Sequence, residues 1–315
     1  MEHTVRFDIA VAHGFVLTEL AGVVDVLRLA NRISAQPVFD WRYVSISGGP
    51  IRSSAGAEVA TDPFTDKPSA DYLVALGNAD AGHPDLALGT QMRAYISRQA
   101  RVVLLAEAAS RYIAEKRGAE QRHTTHWENR TILLERLGLF ETKSALAVDA
   151  GAIITCAGME ATYDVTLSLA SRHVSSATMM TVADILLHER IRHHNTLQPF
   201  SGKAVLATGD TALDSAIALM QQNIEVPLPI SRIADETGLS KRSLERRFNR
   251  MLGTKPNRYY RELRLSRANN LLLNTEMRIN EIGLACGFPS GFTAIYRETF
   301  GMTPNLARKN GRMKT

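Results

Sequence analysis

A chain of 315 residues exceeds one average domain and is long enough for two, each with its own core. Its formal charge of +5 is unevenly placed: residues 211–315 hold 17 Lys and Arg against 9 Asp and Glu, while the first 210 hold 20 against 23. Two cysteines exclude a disulfide framework, the absence of 18 consecutive apolar residues excludes a spanning helix, and a signal peptide is not readable because no basic region precedes an apolar stretch broken by His13 and Glu19.

These features lead to the expectation of a soluble, cytoplasmic protein with no membrane association and no cofactor. The basic C-terminal third has the electrostatic footprint of a nucleic-acid-binding module joined to a neutral partner domain.

In chain order, Val5-Arg6-Phe7-Asp8-Ile9-Ala10-Val11 predicts a first strand, and Gly14-Phe15 opens the loop before a helix ending near Asn31. Further short strands are predicted at Tyr43–Ser47, Tyr72–Leu76 and Arg101–Leu105, each ended by glycine or small residues. Alternation of strand-like and helix-like segments implies an α/β N-terminal domain, residues 1–195, with a flavodoxin-like, largely parallel sheet. Ligands of such sheets bind outside the carboxyl ends of the strands, which here carry Phe15, Gly77-Asn78-Ala79 and Ala106-Glu107-Ala108.

Several blocks within residues 5–200 resemble the PfpI-like branch of the class I glutamine amidotransferase-like superfamily. They are Gly14-Phe15 with Glu19-Leu20-Ala21-Gly22, Ser47-Gly48-Gly49-Pro50 with Ser54-Ala55-Gly56, Thr124-Thr125-His126-Trp127, and Thr155-Cys156-Ala157-Gly158-Met159 with Asp164. Enzymes of that superfamily set a nucleophilic cysteine on a tight turn after a strand, near an acid and usually a histidine. Counting back from Thr124, the resemblance implies that this turn falls at Ala106 or Glu107. Neither side chain is a nucleophile, so the superfamily's covalent chemistry is expected to be absent and the chain is expected not to be an enzyme. Cys156 lies in another segment and reads as a small buried residue. No serine elbow, phosphate loop or metal-spaced histidine pair replaces the missing thiol, and the adjacent His193 and His194 cannot face one ion from a helix.

A pocket without a reaction implies ligand sensing. Glu19 and Glu107 offer negative charge, Phe15, Trp127 and Met159 offer apolar walls, and Asn78 and His126 complete the candidate set. A carboxylate with aromatic neighbours suits a cationic amine or quaternary ammonium group. The competing reading gives Glu19 a local cap or pairing, Trp127 a place in the core and Met159 a gap to fill.

Pro199, Gly202 and Gly209 mark residues 196–211 as the linker to an all-α C-terminal domain, residues 212–315. That domain contains a repeat. Ile233-Ala234, three residues, Gly238-Leu239 recurs as Ile282-Gly283, three residues, Gly287-Phe288. Leu244, Phe248, Leu252-Gly253 and Pro256 recur as Phe292, Tyr296, Phe300-Gly301 and Pro304. Apolar spacings of four, a glycine at the turn and a glycine past the second segment make each copy a helix-turn-helix. With Leu244 and Phe248 buried, Ser240, Lys241, Arg242, Glu245, Arg246 and Asn249 crowd the exposed N-terminal half of the first recognition helix. Pro256–Leu273 predicts a long helix connecting the copies, holding the recognition helices about one turn of DNA apart.

Residues 212–308 resemble the AraC/XylS family of regulators, down to the ending Tyr296-Arg297-Glu298-Thr299-Phe300-Gly301-Met302-Thr303-Pro304. The resemblance implies that Arg242, Glu245 and Arg246 read bases. The second copy departs from the family pattern, with only three residues between Phe288 and Phe292 and with Ala294 where many members carry arginine. Its Ser290, Thr293 and Arg297 are therefore expected chiefly to meet phosphate.

Together the halves resemble the GlxA-like regulators, which join a PfpI-like domain to an AraC-type tail. Ile154-Thr155-Cys156-Ala157-Gly158 and Glu189-Arg190-Ile191-Arg192 resemble members linked to carnitine, betaine or arginine breakdown, from which Met159-Glu160 departs. The resemblance implies a transcriptional regulator that binds a double-stranded operator or promoter as a homodimer, controlled by a small amine or amino-acid-like effector, with RNA polymerase a further candidate partner. Two alternatives are a PfpI-like hydrolase or lyase with a DNA-associating tail, and a ligand-independent architectural DNA-binding protein.

Overall fold

The computed structural model describes residues 4–34, 36–116, 123–130, 133, 145–198, 208–275 and 277–312, in two units, Met1–Leu197 and Gln198–Thr315. The predicted linker 196–211 includes residues 199–207, which lie outside the described residues.

The first unit is built on strands β1 (Val5–Ala10), β2 (Phe39–Ser45), β3 (Gly49–Arg52), β4 (Glu58–Pro63), β5 (Tyr72–Ala75), β6 (Arg101–Leu105), β7 (Ala147–Asp149) and β8 (Ile153–Cys156). They form one sheet in the order β3-β4-β2-β1-β5-β6-β8-β7. Every pairing from β4 through β8 is parallel, and β3 and β7 close the edges antiparallel. Its helices include α1 (Leu17–Ile33), α2 (Gly89–Ile96), α3 (Ala106–Glu115), α4 (Ala161–Ala170) and α5 (Ser176–Ile185).

Alternation along the strands divides the apolar residues between two cores. Phe7, Ile9, Tyr72, Val74, Val103 and Leu105 face α1, α4 and α5, whereas Ala10, Leu73, Ala75, Val102 and Leu104 face α2 and α3. The central strands are buried on both sides, as a parallel sheet covered by helices requires. Asp8 is a charged exception in β1. Its register partner on β2 is Arg42, which donates to both carboxylate oxygens at 2.6 and 2.8 Å, and the Tyr95 hydroxyl donates to it as well. These donors offset the cost of burying the charge.

β2 begins four residues before the predicted Tyr43 and ends at Ser45. The Asn31 side chain explains the early start, because it accepts from the Val38 and Phe39 amides and donates to the Phe39 carbonyl, tying the strand to the end of α1. The Ser45 hydroxyl accepts from the Gly48 amide and terminates the strand in a turn.

In the second unit α6 (Thr211–Gln222), α7 (Ile230–Glu236), α8 (Lys241–Leu252), α9 (Pro256–Asn274), α10 (Ile279–Ala285), α11 (Phe292–Phe300) and α12 (Pro304–Arg312) follow one another. Leu213, Ile217, Ile233, Leu244, Phe248 and Tyr260 form the core of the first helix-turn-helix, α7 with α8. Leu265, Leu272, Ile282, Phe288, Phe292 and Tyr296 form that of the second, α10 with α11. The connecting helix α9 supplies residues to both. Its 19 residues span about 28 Å at 1.5 Å per residue, of the order of one ~34 Å turn of DNA.

Candidate nucleic-acid interface and buried carboxylate site

α8 starts where the sequence places it. Ser240 is its N-cap, its hydroxyl accepting from the Ser243 amide at 3.2 Å, and Gly253 ends it in the left-handed region. Leu244 and Phe248 are fully buried, which turns Lys241, Arg242, Arg246 and Asn249 to solvent with Glu245 half-buried beside them. Among the described residues Lys241, Arg242 and Arg246 carry no ion pair. Their neighbour Arg247 is withdrawn from that face by Asp210, the N-cap of α6. Arg264 of α9 is likewise structural: it lies over the Phe288 ring at 4.5 Å and donates to the Gly287 carbonyl at 2.9 Å.

α11 is shorter. Gly291, at φ +69°, replaces the serine cap, and the helix begins at Phe292. Phe292 and Tyr296 are buried, leaving Ser290, Thr293, Ala294 and Arg297 exposed. The repeat sets Thr293 and Ala294 in the register of Glu245 and Arg246, so the two helices present different chemistry from equivalent positions.

In the first unit the turn between β6 and α3 falls at Ala106, which the sequence alone left open between Ala106 and Glu107. Ala106 has φ +36°, a strained value for a residue with a side chain, held because its carbonyl accepts from the Thr125 hydroxyl at 2.7 Å. Its methyl sits among Gly77, Gly158 and Glu19. A side chain on Gly77 would lie 2.5 Å from Glu107 Oε2 and 3.0 Å from Glu19 Oε2, and one on Gly158 would collide with Glu19 Oε1. Both glycines are thus required for the carboxylates to approach.

Glu19 is fully buried; its Oε2 accepts from the Gly77 amide at 2.6 Å and its Oε1 from the Met159 amide at 3.0 Å. Burial nevertheless dominates and pushes its pKa up to about 7, with the nearby Glu107 adding to the rise and the two amides and His126 opposing it. Glu107 is half-buried and accepts from the Asn78 amide at 3.0 Å and the Asn129 side chain at 2.9 Å. Asn129 was not singled out from the sequence, where nothing distinguishes it from a surface residue.

The remaining predicted ligand residues divide. Phe15 is fully buried in the core of the unit and forms no wall of an open site. Asn78 is buried and structural, donating to the His13 carbonyl at 2.7 Å and accepting from the Asp80 amide at 2.9 Å. His126 and Trp127 are half-buried with ring centroids 5.4 Å apart, and Met159 is 46% exposed at φ +51°. Cys156 is buried below this layer, its thiol pushed up to about 12 by desolvation.

Beyond Met159 lies a second cluster. Buried Asp164 of α4 accepts from His188 Nε2 at 2.9 Å, the Arg192 amide at 2.7 Å and Arg192 Nε at 2.9 Å, and pairs with the Arg192 guanidinium at 2.7 Å, tying residues 188–192 to the domain. Among the described residues no three His, Cys, Asp or Glu gather as a metal site, and no helix is long and apolar enough to cross a membrane.

A family described as a helix-turn-helix domain matches residues 233–310. The HTH-type transcriptional regulator GbdR of Pseudomonas aeruginosa is 30% identical over 303 residues, covering 94% of this chain and 82% of its own. The regulator GlxA of Rhizobium meliloti is 27% identical over 312 residues, covering 97% of this chain and 96% of its own. A solved AraC family transcriptional regulator from Pseudomonas putida shares the fold at a TM-score of 0.51 and 20% identity, over 58% of this chain and 99% of that one. With similarity running through both units and the helix-turn-helix match at the C-terminal end, the chain belongs to the AraC family of DNA-binding transcriptional regulators, in the GlxA-like group.

Proposed function

We propose that α8 supplies most base-edge contacts of this regulator and that its α/β unit is a non-catalytic sensor for a small amine or amino-acid-like effector. The observation that carries the first part is the exposed basic end of α8, where Lys241, Arg242 and Arg246 carry no ion pair among the described residues while nearby Arg247 is held by Asp210. Arginine matches the acceptor pair of guanine in the major groove, Asn249 suits adenine, and Ser240 and Lys241 at the helix start suit phosphate. Replacing Arg246 with alanine is expected to cost about 1–3 kcal/mol of operator affinity and to relax preference at one base position. Unchanged affinity and preference in a binding selection refute this assignment.

The sensor reading rests on Ala106 standing at the strained turn, which has the geometry of a nucleophile site and no nucleophile. Glu107, His126, Trp127 and Met159 are the groups left to meet a ligand, with Glu19, Phe15 and Asn78 supporting them from below. A proton on Glu19 near neutral pH transfers the recognition of a cation to Glu107. A panel of amines and amino acids tested by thermal shift on the full chain decides this, since a ligand at 100 times its Kd adds about 2.7 kcal/mol. The expected response disappears in Glu107→Ala; no response to any member leaves the architectural alternative standing. The chain is further proposed to act as a homodimer and to contact RNA polymerase, which sedimentation and promoter transcription assays test.

A further inference from the structure

We propose that the second helix-turn-helix reads thymine, through apolar contact with the C5-methyl group, rather than serving only as a backbone anchor. This inference rests on the DNA-binding reading of the second unit and adds to it a base and a chemistry. The cleft between α10 and the start of α11 has a volume of about 670 Å³ and is lined by Leu284, Phe288, Pro289, Thr293 and Ala294, with Arg297 as the one charged residue of its wall. Leu284 is 56% exposed, and Pro289 and Ala294 are exposed beside it. By the repeat, Pro289 and Ala294 stand where the first copy has Lys241 and Arg246, and Leu284 adds an exposed apolar group from α10.

The repeat makes the comparison position by position. Glu245 and Arg246 correspond to Thr293 and Ala294, so two charged side chains are replaced by an alanine methyl and by a threonine that offers a methyl beside its hydroxyl. Gly291 keeps the mouth open, because the left-handed turn there carries no side chain and one placed on it meets only Ile295, at 3.9 Å. The cleft is mixed, with Asn280, Ser290 and Thr303 beside its apolar groups; where Ala294 and the Thr293 methyl meet the major groove, the complementary group among the base edges is the thymine methyl. Ser290 and Arg297 remain available for phosphate on either side. The absence of any carboxylate from the wall favours the duplex over a basic protein surface as occupant.

The test uses the full chain to select duplexes from a random library, followed by affinity measurements on the enriched sequence. The half whose preference Arg246→Ala relaxes belongs to α8, and the other half is assigned to α11. Uracil in place of thymine in the α11 half is expected to weaken binding about threefold to fivefold per methyl removed, and the same exchange in Ala294→Gly is expected to cost less. Ala294→Arg, which keeps a good helix former, is expected to move the preference at that position from thymine to guanine. An enriched site indifferent to uracil in that half, or one whose α11 half holds no preferred thymine, overturns the inference while leaving specific binding intact. Failure to enrich any duplex overturns the DNA-binding reading of both helices.

Discussion

Burial gives Glu19 a proton at pH values where an exposed glutamate has lost it. Its pKa rises from an ordinary 4.5 to about 7 in the folded chain. Between those values the folded protein binds the extra proton, so the stabilisation is fully present below about 4.5 and is lost as pH rises through about 7. The loss amounts to about 3 kcal/mol by linkage. Urea unfolding of the wild type at pH 5 and pH 8 is expected to show it. Glu19→Gln, although weakened by an amide that cannot accept from both Gly77 and Met159, is expected to lose the pH dependence. Cys156 gives a second residue-level prediction. Its thiol is buried and pushed up to about 12, so iodoacetamide at pH 8 is expected to label it only when denaturant is present. Its burial was legible as a lone cysteine outside any reactive motif. The proton on Glu19 was not, because two amides from loops 58 and 140 residues away enclose it.

The two helix-turn-helix elements share a pattern and differ in what surrounds their turns. Gly238 and Gly287 both take positive φ, +68° and +73°, so alanine at either costs on the order of 1 kcal/mol or more from the backbone alone. Space separates them: nothing lies within 4 Å of a side chain at Gly238, whereas one at Gly287 would meet Pro227 at 2.5 Å and the Ile224 carbonyl at 2.7 Å. Thermal unfolding is therefore expected to rank Gly287→Ala well below Gly238→Ala. The repeat and α9 were readable in the sequence because turn glycines and apolar spacings of four are patterns local to the chain. The antiparallel edge strands β3 and β7 were not legible in the sequence, nor were β4 and β8. For β3 and β4 the cause lies in their largely exposed residues, which leave no buried stripe for a pattern to reveal.

At the scale of the whole molecule, positive charge collected in the second unit acts on a polyanion, so operator affinity is expected to fall steeply and linearly on a logarithmic salt scale. Replacing Arg297 is expected to reduce that slope by about 1 with little change in base preference, which filter binding at several salt concentrations checks. Sequence by itself determined the division into an α/β half and a basic half that carries a twofold helix-turn-helix repeat whose second copy is the shorter before its second helix. These follow from periodicity, charge and spacing, which are local properties of the chain. Tertiary structure alone decided that the turn falls at Ala106, that Phe15 and Asn78 are buried, and that Asp210 and Phe288 take Arg247 and Arg264 into the fold. Each of those outcomes depends on what distant segments bring alongside a residue, and burial, ion pairing and free space are set only when those segments meet.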